Sequence, residues 1–240
     1  SAVSSLTTDQ MAALTGSRLQ SLTSAQIAAL TTGQLVSLTT DQVIALRPDQ
    51  IAGITAGRFA NLTTDQVGAL TGDHVSRLTT AQLTALDSDH IAALSTQGVA
   101  RLATWQVQAL TTDQIQALGS DQVLALGPTQ VRALTTGQVA SMTTGQWVVL
   151  TTDQVRAFGA AQVAAITTDQ IQVVSTDQLR AFAPRQIAAI TTDALAELSS
   201  SQMAAWTSRQ LAAMTTGQVA SFDADSVAAV EPAALRGLTG

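Results

Sequence analysis

The sequence predicts an all-α solenoid of about thirty short helices of about two turns each. Each octapeptide supplies one helix, and about three helices, or 24 residues, make one superhelical turn. Three observations predict this fold. Apolar residues recur every eight residues from Leu6 to Leu238 and again from Val3 to Leu235, with no insertion or deletion. The residue after each site of the first series is of a helix-capping type in nearly every repeat. Under the step of eight lies a second step of 24. A unit of eight residues is too small to fold alone and must bury its apolar side chains against its neighbours.

Numbering the leucine of Leu-Thr-Thr-Asp-Gln-Val-x-Ala as position one, each element follows in order. Position two is Thr, Ser, Asp or Gly in 26 of 30 repeats, and these residues cap helix N-termini by accepting from an otherwise unpaired backbone N–H. All four prolines, Pro48, Pro128, Pro184 and Pro232, stand at position three, the first helical residue, where a missing N–H costs nothing. Position four is often Asp, a carboxylate at the positive end of the helix dipole. Position five is Gln in 21 of the 29 repeats from Gln10 onward, which completes a Thr-x-x-Gln capping box. The helix is expected to run from position three to about the next position one.

Geometry excludes one long helix. Eight residues at about 100° each leave the apolar stripe drifting by about 80° per repeat, so it would circle the helix and bury nothing. A heptad coiled coil fails for the same reason. A triangular β-solenoid is the alternative, since short repeats and Thr suit it. The Ala-rich position eight, the placement of Pro and the scarcity of Gly and Asn for tight corners speak against it.

The step of 24 is clearest at position eight. The series Ser5, Ala29, Gly53, Arg77, Arg101, Ala125, Val149, Val173, Glu197, Ser221 is varied, whereas the series through Ala85, Ala109, Ala133 and Ala157 is nearly all Ala. Phe158, Phe182 and Trp206 form another column. Two sides of the coil are therefore expected to pack closely on Ala and the third to be open. Turns about 8–10 Å apart would build a rod on the order of 80–100 Å long. The expected organisation is one continuous array over 1–240. Residues 222–240 form a degenerate terminal turn, because Ser226 and Ala234 replace the capping Gln. An open amino end exposing Val3, Leu6 and Met11 would favour end-to-end self-association.

Composition bounds the function. The net charge of −6 disfavours nucleic acid and anionic membranes, which bind basic faces. No apolar run reaches the roughly 18 residues of a membrane-spanning helix, so no membrane insertion is expected. No cysteine is present, which excludes disulfides and thiolate metal sites. His74 and His90 both stand where Gln usually caps and are 16 residues apart; they read as replacements for that Gln rather than metal ligands. No nucleophile elbow or phosphate-binding glycine loop occurs. The reading is non-enzymatic, with no catalytic, cofactor or metal site. A possible contact surface is formed by Trp105, an aromatic at position four outside the core pattern, and by Arg77 and Arg101 on the open side.

The unit Leu-Thr-Thr-Asp-Gln-Val-x-Ala-Leu, as at 38–46, 62–70 and 150–158, resembles the Thr/Gln-rich octapeptide repeat arrays of large secreted or surface-associated bacterial proteins. The resemblance covers the whole chain and implies an extracellular or cell-surface spacer or scaffold. It also resembles the opening of the repeats in transcription-activator-like effectors, but those repeats are far longer and their arrays basic. The alternative to a scaffold is a binding module whose Thr-rich corners or open side contact ice, glycan or protein.

Overall fold

The computed structural model describes residues 2–239. They form 28 α-helices, with 3-10 segments at Ala2–Ser5 and Leu235–Thr239 and no strand among the described residues. The β-solenoid alternative is thereby overturned. In most octapeptides a side-chain cap at position two, as where Thr39 accepts from the Gln42 N–H, favours a helix start over strand pairing.

The helices are shorter than the sequence suggests, at four to six residues, as in Thr40–Ala45, Pro48–Ala52 and Ala160–Val163. They begin at position three as expected. They end early because the position-one residue is extended (Leu46 φ −62°, ψ 149°), and its N–H closes a tight bond to the carbonyl three residues back (Leu46 N to Val43 O, 3.2 Å). The capping residue that follows is extended too (Thr39 φ −71°, ψ 160°). Two extended residues thus make each corner. No residue among those described has positive φ, so glycine is not needed to turn the chain.

The chain divides into two compact units, Ser1–Ala125 and Leu126–Gly240. In the first, each helix packs on the third one along. Ser24–Ala28 meets Pro48–Ala52, which meets Gly72–Arg77, which meets Thr96–Ala100, which meets Ser120–Ala125. In the second, Pro128–Ala133 meets Thr152–Ala157, which meets Thr176–Ala181, which meets Ser200–Met203. This is the 24-residue column inferred from the sequence. Side chains at positions one and six fill the interior of each unit, with Ile51, Val75 and Leu78 buried in the first and Trp147, Phe158 and Leu179 in the second. Phe158, Phe182 and Trp206 lie on successive turns as expected. The ring stacked on Phe158, however, is Trp147, with centroids 5.4 Å apart and planes inclined by 25°.

The position-five glutamines bind the turns together. In Gln114, Oε1 accepts from the Thr111 backbone N–H at 3.0 Å, which is the capping bond. Nε2 donates to Leu83 O at 2.8 Å and Leu86 O at 2.7 Å, 31 and 28 residues earlier. Gln50 reaches Leu19 O and Leu22 O in the same way, and in the second unit Gln178 reaches Trp147 O and Leu150 O. The last carbonyls of a helix have no intrahelical donor. Each amide supplies one to the corner a turn below while its oxygen caps its own helix. The glutamines are accordingly buried, Gln50, Gln106 and Gln186 completely.

The end of the chain departs from this scheme. Ala224–Ala229 buries none of its residues and is capped by Asp223, and the 3-10 segment Leu235–Thr239 packs on Ser208–Leu211. No helix among the described residues is long and apolar enough to cross a membrane.

Candidate functional site

In a repeat array the consensus records what the fold requires, so departures that converge in space mark sites with another use. They converge between residues 47 and 101, along the column of Pro48–Ala52, Gly72–Arg77 and Thr96–Ala100. The first two helices, with Gly53 and with Arg101 at the end of the third, border an open recess of about 880 Å³. Pro48, Ala52 and Gly53 form its small-residue wall, and Asp49, Asp73, Ser76, Arg77 and Arg101 supply its polar groups.

Arg47 replaces the capping Thr and turns its guanidinium outward. Nε and Nη2 donate to the two carboxylate oxygens of Asp49 at 3.0 and 3.1 Å, and Nη1 donates to Gln20 O. Ser24 Oγ donates to Asp49 Oδ2 at 2.6 Å. The bonds from Arg47, and then that from Ser24, lower the Asp49 pKa to about 2, so the carboxylate is charged at any ordinary pH.

One turn further on, Arg101 Nη2 donates to Asp73 Oδ1 at 2.6 Å across 28 residues. Gly72 makes this pair possible. A Cβ there would lie 2.7 Å from Arg101 Cγ and 3.2 Å from Gln97 O. Arg77, the last residue of its helix, is exposed at the mouth and has no ion pair or side-chain hydrogen bond among the described residues. At Gly98 the amide bridge is absent, and a Cβ would meet Val75 Cγ2 at 3.0 Å.

The structure therefore brings Arg77 and Arg101 together on the side the position-eight series marks as open. It does not bring Trp105 to them. Trp105 is 48% exposed on Thr104–Ala109, which packs on Thr80–Ala85 in a different column. Asp49 and Asp73 were missed by sequence reasoning. The signal for Asp73 was a step of 28 rather than 24, the same offset that links each glutamine to its position-one carbonyl.

The two histidines act as glutamine substitutes. His74 Nδ1 accepts from the Thr71 N–H at 3.2 Å, which leaves Nε2 to donate to Leu46 O at 2.7 Å. In His90, Nε2 faces Leu62 O at 2.7 Å, while Nδ1 lies 2.7 Å from Asp87 Oδ1. The His90 backbone N–H, and to a lesser degree its ring, hold the Asp87 carboxyl below the ordinary carboxylate range.

The second unit contains a smaller recess of about 470 Å³ beside Pro128. Arg156 Nη1 pairs there with Asp153 Oδ1 at 2.9 Å, and Arg132 has no partner among the described residues.

A sequence model of the ALTTAQ repeat matches residues 19–56, 96–128, 148–176, 175–208 and 187–224, which together cover more than half the chain. The chain belongs to the ALTTAQ repeat family. No curated protein matches it. The six letters of the family name spell positions eight, one, two, three, four and five. In this ALTTAQ array they are the close-packing Ala, the core Leu, the capping Thr, the first two helical residues and the bridging Gln. Arg77 stands where that name has Ala, directly before Leu78-Thr79-Thr80-Ala81-Gln82.

Proposed function

We propose that this ALTTAQ array is a non-enzymatic structural repeat region, a stiff spacer or scaffold within a bacterial surface or secreted protein. The observation that carries the reading is the buried Gln bridge. It recurs from Gln34 to Gln122 in the first unit and from Gln154 to Gln218 in the second, with Arg58, the two histidines, Gly98 and Ala194 as its internal departures. Each bridge welds a corner to the turn above it, so stiffness is built into most octapeptides. Most of the sixty residues at positions one and six serve the apolar interior, and the capping and bridging positions serve the same end. The net charge of −6 fits a role that involves neither nucleic acid nor an anionic membrane.

Small-angle scattering tests the proposal. A 240-residue globule has a radius of gyration of about 18 Å. A spacer should be clearly larger, with a cross-section that stays constant at high salt. A value near 18 Å would remove the spacer reading while leaving the helices untouched. The binding-module alternative is favoured by one observation, the charged recess at Arg77.

A further inference from the structure

We propose that the recess at Arg77 binds the carboxylate of an acidic saccharide, with the Arg77 guanidinium as the group that grips it. The argument begins with charge. Arg47 is matched by Asp49 and Arg101 by Asp73. Arg77 is matched by nothing among the described residues, so the recess holds one uncompensated positive charge beside a cavity of about 880 Å³. A guanidinium presents a planar fork of donors that fits a carboxylate in bidentate fashion.

The surroundings select the anion. Asp49 and Asp73 line the same recess, and a doubly charged phosphate would sit beside two carboxylates. A singly charged carboxylate balances Arg77 without excess. The lining has no aromatic or large apolar side chain to hold a hydrophobic ligand. It offers a hydroxyl, two carboxylates and the outer face of Arg101, which are donors and acceptors for sugar hydroxyls. The volume lies within the usual range for small-molecule sites, about 300–1,000 Å³, and the open mouth suits one residue of a longer glycan.

The fold does not need this arginine. Position eight is Ala in most of the neighbouring repeats, so Arg77→Ala installs the ordinary residue. The same charge count recurs at Arg132 in the second unit, where Asp153 and Arg156 are paired.

The test is a titration of the full chain with digalacturonate, followed by NMR at the arginine Nε–Hε groups. An Arg132→Ala background silences the second recess. Saturable binding near ~1 mM that shifts Arg77 is expected. Arg77→Ala should weaken it ~10-fold or more, as for loss of a charge-assisted pair, with the melting temperature unchanged. Arg185→Ala, at an exposed arginine outside both recesses, should leave binding intact, and the uncharged methyl ester of the disaccharide should not bind. Absence of saturable binding, or binding that survives Arg77→Ala, would overturn the proposal. So would tighter binding of glucose 6-phosphate or of an acetylated glutamate peptide, which would reassign the site to phosphate or to a protein partner.

Discussion

Replacing Gln114 by Ala removes three side-chain hydrogen bonds at once: the cap to the Thr111 N–H and the two bridges to Leu83 O and Leu86 O. Each is worth about 0.5–1.5 kcal/mol net, and the two carbonyls left behind are buried and deprived of this donor. The expected cost is therefore about 3 kcal/mol. Gln10→Ala is the control. Gln10 is exposed and keeps the capping bond (Thr7 N–H to Oε1, 2.9 Å), but its Nε2 bridges to no carbonyl among the described residues. Its loss should cost less than about 1 kcal/mol. Gln114→Glu sharpens the comparison, because it preserves the capping acceptor while turning an oxygen toward the two carbonyls. It should be at least as destabilising as Ala at pH 7 and less so in acid, where the carboxyl can donate. Urea denaturation gives the global effect, and hydrogen exchange at the Thr111 amide gives the local one. Equal costs for Gln10→Ala and Gln114→Ala would refute the idea that these amides hold adjacent turns together.

Three further outcomes are expected. Ala194→Gln should supply the missing amide above Val163 O and Ile166 O, which lie at the same offsets of 31 and 28, and raise stability by about 1–2 kcal/mol; a lower urea midpoint would contradict it. The indole N–H of Trp147 is buried without a partner, so Trp147→Phe should relieve that desolvation and offset the lost volume, leaving stability within about 1 kcal/mol of the parent, whereas Trp147→Ala should cost about 3–5 kcal/mol. The Asp49 pKa of about 2 lies below its ordinary 3.8, so its stabilising contribution is complete above that ordinary value and is lost as the pH falls through about 2; a carboxyl NMR titration of Asp49 with a midpoint near 4 would contradict it, and Asp49→Asn should abolish this share of the acid sensitivity.

Much of the fold was legible because its determinants are local. A Thr cap, a Pro at the first helical position and a strict step of eight act within one octapeptide, and the columns surfaced because Arg77 and Arg101 stand 24 apart in one position-eight series. The Gln bridge was read only by half. Its partners are backbone carbonyls, which every residue has, so no side-chain pattern announces the 28- and 31-residue offsets. One signal was present: a capping box accepts Glu as well as Gln, yet Glu never occupies position five. A site that tolerates the amide and never the acid needs the donor as well as the acceptor. Helix length was overestimated because caps mark where a helix begins, while the extended conformation of Leu46 and its equivalents at position one has no residue signature. The contact surface was legible only in part. The column placed Arg77 with Arg101, but it could not pair Arg101 with Asp73, nor show that Trp105 belongs to another column.

These constraints also determine where a repeat of this kind can carry specificity. Positions one and six are committed to the interior, position two to the cap, and position five to both the cap and the bridge. Substitution there is answered by loss of packing or by an unpaired buried group. Positions four and seven, position eight in the series of Gly53, Arg77 and Arg101, and position three where Pro or Thr begins the helix are the ones free to vary. Both recesses are built from these positions, with Ala157 the one exception. Pro48, Asp49, Ala52, Gly53, Asp73, Ser76, Arg77 and Arg101 occupy positions three, four, seven, eight, four, seven, eight and eight, and every other residue around Arg132 obeys the same rule. A column can therefore acquire or lose a charged recess without touching the interactions that hold its turns. It follows that exchanging positions four, seven and eight between the two recesses should transfer their ligand preference at nearly constant stability. A transplanted recess that unfolds its host would show that the lining and the scaffold are not separable in this way.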